Sequence, residues 1–433
     1  MSGQVVNPLS FDQLKEAVAG PAAAIRLVQR LEPAGGASDK VFPPTYAGGI
    51  YAAENRHIND RPVRCVLLDS VQSQANRLEQ ALLQATDGED GLRLPLLVVD
   101  FSKEFPEIGR ITSLDAPHRI ADAIFRDSLI QGKPFRESTQ GKAFEAATVR
   151  NATALFDLCP TALIFGTWDS TGTKGGSGNK FARALVSEIV GVDVSFGVRT
   201  SSRIDPLAIE KCEVYEAAGG DWTTDPAKAV KDEKGNFIKF GKNKETRGKP
   251  SALNHGNVTP DVVRYAENVN VPDWLKASDA NDVTVRQKEM AVGGVTMAYA
   301  LQTTVLSLPA LRRLRFPDER GTVNSERDRA ARAVLAALAL TAIALQREQG
   351  YFLRSRCDLI PIDEASFEVV STAARTTPFR ITSAEATNLL KNAVSAARDV
   401  KLPWRTEPLQ LTPKPALVEL VRKSRELVVE EEQ

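Results

Sequence analysis

The segment from Gly172 to Lys180, GTKGGSGNK, holds the densest set of groups able to bind an anion. Its glycines let backbone amides face a ligand, and Lys174 and Lys180 add positive charge. The apolar run TALIFGTW (161–168) before it reads as a buried strand, and KFARALVSEIVG (180–191) after it reads as a helix, with Ala182, Leu185, Val186 and Ile189 as the apolar face. Strand, glycine loop and helix N-terminus together can hold a phosphate. The loop is not a nucleotide-hydrolysis motif. That motif needs Gly-Lys followed by Ser or Thr to hold magnesium, whereas Gly178 is followed by Asn179, Lys180 and Phe181. Contact to a nucleic-acid phosphate and a mobile loop without a partner both stay open for this segment.

A second set of groups follows the strand-like run VRCVLL (63–68). Val71, Ala75, Leu78 and Leu82 mark one buried helical stripe, with Asp69 as the expected cap and Gln72 as its capping-box partner. On another face Ser70, Ser73, Gln74 and Arg77 recur at helical spacing, so four hydrogen-bonding groups are expected to point outward. The segment YAAENRH brings Asn55, Arg56 and His57 as a possible extension of that surface. Such residue types bond phosphate or a 2′-hydroxyl, and most polar helix faces are simply wet. A third set lies in the lysine-rich stretch 219–260, where basic residues interleave with Phe237 and Phe240. That composition suits a single strand of nucleic acid, and equally an ordinary solvated loop. A hairpin is expected where Lys234-Gly235-Asn236 separates AVKDE from FIKF.

Acid–base chemistry has few candidates. His57, His118 and His255 are the only histidines, and a general base for RNA cleavage would have to be His57 or His118. Cys65, Cys159, Cys212 and Cys357 are scattered without C-x-x-C spacing, which argues against a zinc site and against a disulfide framework. No metal and no cofactor are expected.

These groups must be positioned by a sizeable core, which a chain of 433 residues with 42% hydrophobic and 25% charged content can build. Further strands are expected at Leu94 to Val99, at 292–308 and at YFLRSRCDLIPI, and a helix at 328–348. Residues 115–157 lean to helix, with APHRIADAIF as the clearest amphipathic piece. The run from Ala333 to Leu345 is too short to cross a bilayer, which takes about 20 residues, and reads as a buried helix. The N-terminus lacks the basic-then-apolar pattern of a secretory signal, so a cytoplasmic location and no membrane are expected. The order strand, helix, strand, insertions, strand, helix, strand gives an α+β class and is compatible with an RRM or ferredoxin-like sheet. One domain over 1–433 is expected, with a helix-leaning insertion at 104–151, a basic arm at 219–260 and an acidic tail at 426–433. Net charge is zero, with 55 basic and 55 acidic side chains, so any grip on phosphates must come from local asymmetry. Lys228 to Lys249 shows it, and so does Arg312 to Arg332, with seven arginines against four acids.

Several stretches together resemble one family, the backbone subunit of subtype I-G (formerly I-U) CRISPR effector complexes within the RAMP superfamily. They are TYAGGIYAAENRH from 45, CVLLDSVQSQANRLE from 65, LIFGTWDSTG from 163, KFARALVSEIVG from 180, GKPSALNHGNV from 248 and GGVTMAYALQTTVLSLPALRRLRFP from 293. The resemblance implies an RRM-type palm with finger and thumb insertions, whose copies stack as a filament along a guide RNA that then pairs with target DNA. It also implies as partners the other Cascade subunits, a large subunit and a fused repeat-handle and processing subunit, and a recruited helicase-nuclease. No catalysis by this chain is implied. The resemblance does not carry over individual RNA contacts; from their residue types and placement, those expected are Asn55, Arg56, Ser73, Gln74, Asn76 and Arg77 on the first surface, and Lys174, Lys180 and Arg183 around the glycine loop. Arg199 and Arg203, in VRTSSRI, complete the set. The competing expectation is a metal-independent endoribonuclease that processes the guide precursor through His57 or His118.

Overall fold

A computed structural model describes residues 7–47, 50–172, 180–263, 293–364, 366–371 and 373–432. Lys174 and the glycines of 175–178 lie outside them. The chain divides into two compact units, one of residues 1–44, 52–194 and 296–423 and one of 45–51, 195–295 and 424–433.

The first unit is organised by an antiparallel sheet. Its elements are α1 (Phe11–Ala19), β1 (Ala24–Pro33), β2 (Ala53–Ile58), β3 (Arg61–Asp69), α2 (Val71–Gln84), β4 (Leu185–Val192), β5 (Tyr299–Ser307), α3 (Ser325–Glu348), β6 (Tyr351–Arg354), β7 (Cys357–Pro361), β8 (Ser366–Val370), β9 (Thr376–Phe379) and α4 (Ser383–Asp399). The sheet runs β6-β7-β1-β5-β4-β3-β2, with β8 also on β1 and β9 on β8. Reading β1, α2, β4, β5, α3 and β7 as the six core elements gives the ferredoxin-like strand order, with the β2–β3 hairpin added at one edge. The expected α+β class and RRM-like sheet are both present. A second sheet orders Arg110–Thr112, Leu97–Asp100, Leu409–Pro413, Ser128–Ile130 and Lys133–Pro134.

Alternation explains the central strands. In β1, Ile25, Leu27, Gln29 and Leu31 turn inward, and in β5, Ala300, Gln302, Thr304 and Leu306 do. They meet α3, which is buried on every side from Ala331 to Ala344, and apolar there except for Arg332 and Thr341, because α1, α2 and α4 enclose it. Among the described residues no helix is long and apolar enough to cross a membrane.

Several expectations need correction. Residues 185–192 form strand β4 and not a helix; β-branched Val186, Ile189, Val190 and Val192 suit a strand paired on both sides, by β5 and by β3. Residues 161–165 form a buried helix and not a strand, ended by Gly166 at φ 81°, and only Thr167–Trp168 is extended. A short apolar run fits either state when it is wholly buried. APHRIADAIF is not one helix: Arg119 takes φ 53°, and Asp122 breaks the run by accepting the His118 and Ile124 amides to cap a new turn, Ala123–Arg126. YFLRSRCDLIPI is two strands, β6 and β7, turning at Arg356, φ 58°. The acidic C-terminal run continues a helix, Pro415–Glu432.

The helix after β3 stands where expected, but its cap is Ser70, whose hydroxyl accepts the Ser73 amide at 3.2 Å. Asp69 has another task. Wholly buried, it accepts from Gln74 Nε2 at 2.6 Å and Arg77 Nε at 3.0 Å. Gln74 is itself 0% exposed, which overturns its outward placement. Its Oε1 accepts from Ser187 at 2.8 Å and Gln302 at 3.1 Å, and Tyr351 donates to Gln302 Oε1 at 2.8 Å. Arg77 also turns inward and donates to the carbonyls of Phe352 and Leu353 on β6.

In the second unit, Arg199–Arg203 pairs antiparallel with Val258–Val263, and Tyr215–Glu216 with Trp222–Thr223. The expected turn at Gly235 is present: Lys231 bridges Phe237, and the Asp232 carboxylate accepts the Lys234 and Asn236 amides.

Gln74→Ala removes one bond from each of three buried partners on three elements, Asp69, Ser187 and Gln302, so it should cost about 3 kcal/mol of unfolding free energy in a urea titration. A loss within about 0.5 kcal/mol would be the signature of an exposed polar site and would contradict this network.

Candidate nucleic-acid interface

A cleft of about 660 Å³ opens in the first unit where three segments meet: the turn at Pro117–Ala121, residues 165–171 and residues 180–183. The short strands Thr167–Trp168 and Lys180–Phe181 pair antiparallel and bring the two ends of the glycine-rich segment side by side. Gly166 makes this approach possible, since a Cβ there would meet the Arg183 amide at 3.0 Å and the Phe181 carbonyl at 3.1 Å, in a backbone conformation that only glycine adopts easily.

The groups on the cleft wall combine charge with an aromatic surface. The Trp168 indole is 52% exposed, and the Lys180 ammonium lies 5.6 Å from its ring centre. Arg183 is half-buried and donates from Nε to the Phe165 carbonyl at 3.0 Å, and its other nitrogens have no hydrogen-bond partner among the described residues. Burial, together with the Arg119 charge nearby, holds the Arg183 guanidinium below its usual pKa. Among the described residues neither Lys180 nor Arg183 has an ion-pair partner. His118 and Arg126 also line the cleft, Arg126 being paired with Asp127 at 2.6 Å. Free cations attract phosphate, and a half-exposed indole offers a face to a nucleobase.

Two buried ion pairs hold the walls. Arg119 donates twice to Glu79 of α2, at 2.7 and 2.6 Å, and once to the Gly166 carbonyl at 3.0 Å, so α2 is tied to the cleft floor. Burial pushes the Glu79 carboxyl up, and the Arg119 charge works against that rise. On the other side Arg136 forks onto Asp169, at 2.7 and 2.8 Å, and reaches Glu145 at 2.8 Å. Asp169 is 3% exposed and also receives the Thr171 amide. Burial works to raise its carboxyl, but the Arg136 guanidinium outweighs it and holds the group below the usual carboxylate range.

The structure brings together only part of the expected set. Lys180 and Arg183 share the cleft, and Lys174 lies outside the described residues. Asn55 and Arg56 stand on the edge strand β2, where Asn55 is exposed and Arg56 is bound to Glu54 at 2.7 Å and Glu188 at 2.6 Å. Ser73 is half-buried in the first turn of α2, and Gln74 and Arg77 serve the interior. Asn76 is exposed beside a different trough, lined by Gln80, Arg93 and Arg110. Arg199 and Arg203 belong to the second unit, where Arg203 donates to the carbonyls of Gly256 and His255 at 3.0 and 2.9 Å. His118 lines the cleft and His57 does not. Sequence reasoning missed Trp168 and Arg126, because TALIFGTW reads as buried throughout, and only the Asp-Ser-Thr-Gly turn after it hints that the tryptophan stands at a surface.

Residues 25–196 match the model of a family described as CRISPR-associated protein GSU0053 (Cas_GSU0053). The matched stretch runs from β1 through β4 and contains every residue of the cleft. The chain is similar to that family there, and the match supports a CRISPR-associated role. No curated protein matches the chain.

Arg136→Met strands the buried Asp169 carboxylate and should cost about 3 to 5 kcal/mol near neutral pH. Asp169 has a depressed pKa in the folded protein, so its contribution is present above the ordinary carboxylate range and is lost as pH falls through the folded value. The penalty of the substitution should therefore shrink on acidification. Thermal unfolding of both proteins across that range checks it, and a pH-independent penalty would count against the pair.

Proposed function

We propose that this chain is a guide-RNA-binding backbone subunit of a type I CRISPR interference complex, of subtype I-G, and that it performs no catalysis. The observation that carries the reading is the cleft, where two cations without an ion-pair partner among the described residues meet an exposed indole within the stretch that is similar to a CRISPR-associated family. Lys180 and Arg183 would hold consecutive phosphates, and Trp168 would stack one base. Neither contact reads base identity, which suits a protein that must accept any guide sequence and leave recognition of target DNA to base pairing. Copies side by side on one guide would form a filament, with the large subunit and the repeat-handle subunit at its ends and the helicase-nuclease recruited to the assembled complex.

The ferredoxin-like palm supports this reading, because its helices and insertions can be shaped independently of the sheet. The cleft's modest charge supports it as well. A subunit that repeats along a polymer needs only a few contacts per copy, since the second and later engagements are intramolecular.

One observation favours the alternative of a guide-processing endoribonuclease: His118 is exposed on the wall of the same cleft and could take a proton from a 2′-hydroxyl. The two readings separate in one experiment. Purified protein is mixed with precursor RNA, and both the product pattern and the affinity are followed. Lys180→Glu with Arg183→Glu should lower the magnitude of the salt slope by about 1.4, the share of two phosphate contacts on a single strand. Trp168→Ala should weaken binding about tenfold, from the lost stacking. RNA recovered intact throughout supports the structural subunit, while cleavage abolished by His118→Ala would replace it with the nuclease.

A further inference from the structure

The sheet of the first unit has one face covered by α1, α2 and α3, and the composition of its other face departs from what water would favour. Outward positions of an antiparallel strand facing solvent are normally polar. Here Phe352 on β6, Ile360 on β7, Ile362 just beyond it, Val28 on β1 and Val186 on β4 are exposed to between 37% and 63%. The register makes them one surface. Val28 pairs with Thr303, Val186 with Val305, and Phe352 stands opposite Asp358, two residues from Ile360 on the same face. Half-buried Leu301 and Val305 fill the strip between them.

The charges on this face decide what could cover it. Arg26 is taken by Glu368 at 2.7 Å, and Arg56 by Glu188 at 2.6 Å. Arg30 lies over the Tyr299 ring at 4.6 Å. Glu32 and Asp358, beside Ile360 and Phe352, have no cationic partner among the described residues. Arg61 stands at the far edge of the sheet, on the β2–β3 turn. Arg30 keeps its charge there and sets one cation against the two acids Glu32 and Asp358, so the charge next to the apolar strip is net negative and disfavours a phosphate backbone. A sheet of this type that binds nucleic acid offers stacked aromatic rings at its centre; at these central positions the present one offers Val28, Leu301, Thr303 and Val305.

We infer that this open face is a docking surface for another protein, and that its occupant is a segment with an apolar row flanked by lysine or arginine. The apolar row would cover Phe352, Ile360 and Val28, and the basic flank would meet Glu32 and Asp358. Exposed apolar patches of this kind mark association sites, and rim charges set which partner is accepted. The inference does not depend on the cleft, which lies at residues 117–183 and is built from other elements.

The test places a photo-reactive benzoylphenylalanine at Phe352 in the full chain, expressed in its native host with its neighbouring proteins. After illumination, the cross-linked peptide is identified by mass spectrometry. The expected product joins position 352 to a different protein, within a segment that has an apolar row and basic flanks. Ile360→Lys should lower the yield at least about tenfold, by placing a charge in the apolar strip and repelling that flank, and should leave the thermal midpoint and the affinity for guide RNA unchanged. Cross-links to RNA, to a second copy, to the same chain or to an acidic segment would each overturn the inference. So would the absence of any cross-link, or a loss of RNA affinity in Ile360→Lys.

Discussion

Gln74 is a wholly buried amide whose oxygen accepts from two strands and whose nitrogen donates to a buried carboxylate. An amide in that position is costly unless each bond is made, so helix α2 can sit on the sheet in one register and one rotation only. Asp69 extends the constraint to Arg77 and Arg354, and Tyr351 closes it through Gln302. Strands β3, β4, β5 and β6 and helix α2 are therefore locked by one polar chain, at a place where an apolar contact would allow sliding. The rest of α2 is spent according to that rotation. Glu79 reaches Arg119 and fixes the cleft floor, while Asn76 and Gln80 line a separate trough.

That division gives the first unit two unlike surfaces. Around the cleft, carboxylates are consumed by structural pairs, Glu79 with Arg119 and Asp169 with Arg136, so Lys180 and Arg183 keep their charge available. On the open face of the sheet the balance tips the other way, with Arg26 and Arg56 taken by carboxylates and Glu32 and Asp358 outnumbering the one remaining cation, Arg30. Electrostatic selectivity arises here from which member of each pair is buried, and the total of charges says little about it.

How far the sequence reveals this can be judged element by element. Alternation in β1 and β5 and the continuous apolar run of α3 are strong periodic signals, and they stand where periodicity places them. The errors cluster at short segments with apolar residues on more than one face. Thr161–Phe165 is buried on every side and Leu185–Val192 carries apolar residues on both of its faces, so periodicity says little about them, and only their pairing or lack of it separates strand from helix. The polar row Ser70, Ser73, Gln74 and Arg77 failed for a related reason. Helical spacing shows that side chains share a face, and whether that face meets water depends on Ser187 and Gln302, which come from strands more than a hundred residues away. Of the candidate site, Lys180 and Arg183 were legible because they flank a glycine-rich loop. Trp168 was not, since nothing in TALIFGTW separates its exposed last residue from the buried ones.

The arginine-rich stretch from 312 to 332 shows why counting cations along a sequence misleads. Seven arginines against four acids suggested a local grip on phosphate, yet most of them are occupied. Arg312 donates to the carbonyls of Gly20 and Ala22, Arg327 to those of Val400 and Lys401, and Arg332 to that of Leu314, while Arg315 pairs with the buried Asp328 at 2.6 Å. Guanidinium groups do this well because their planar fork satisfies several carbonyls at once and stays charged when partly buried. The stretch works as mortar between α1, α3 and the turn after α4. A protein built this way carries a balanced net charge and can still bind a polyanion, provided that a few cations stand where no carboxylate or carbonyl claims all of their donors. Lys180 and Arg183 meet that condition, and Lys174 stands in sequence where it could add to it.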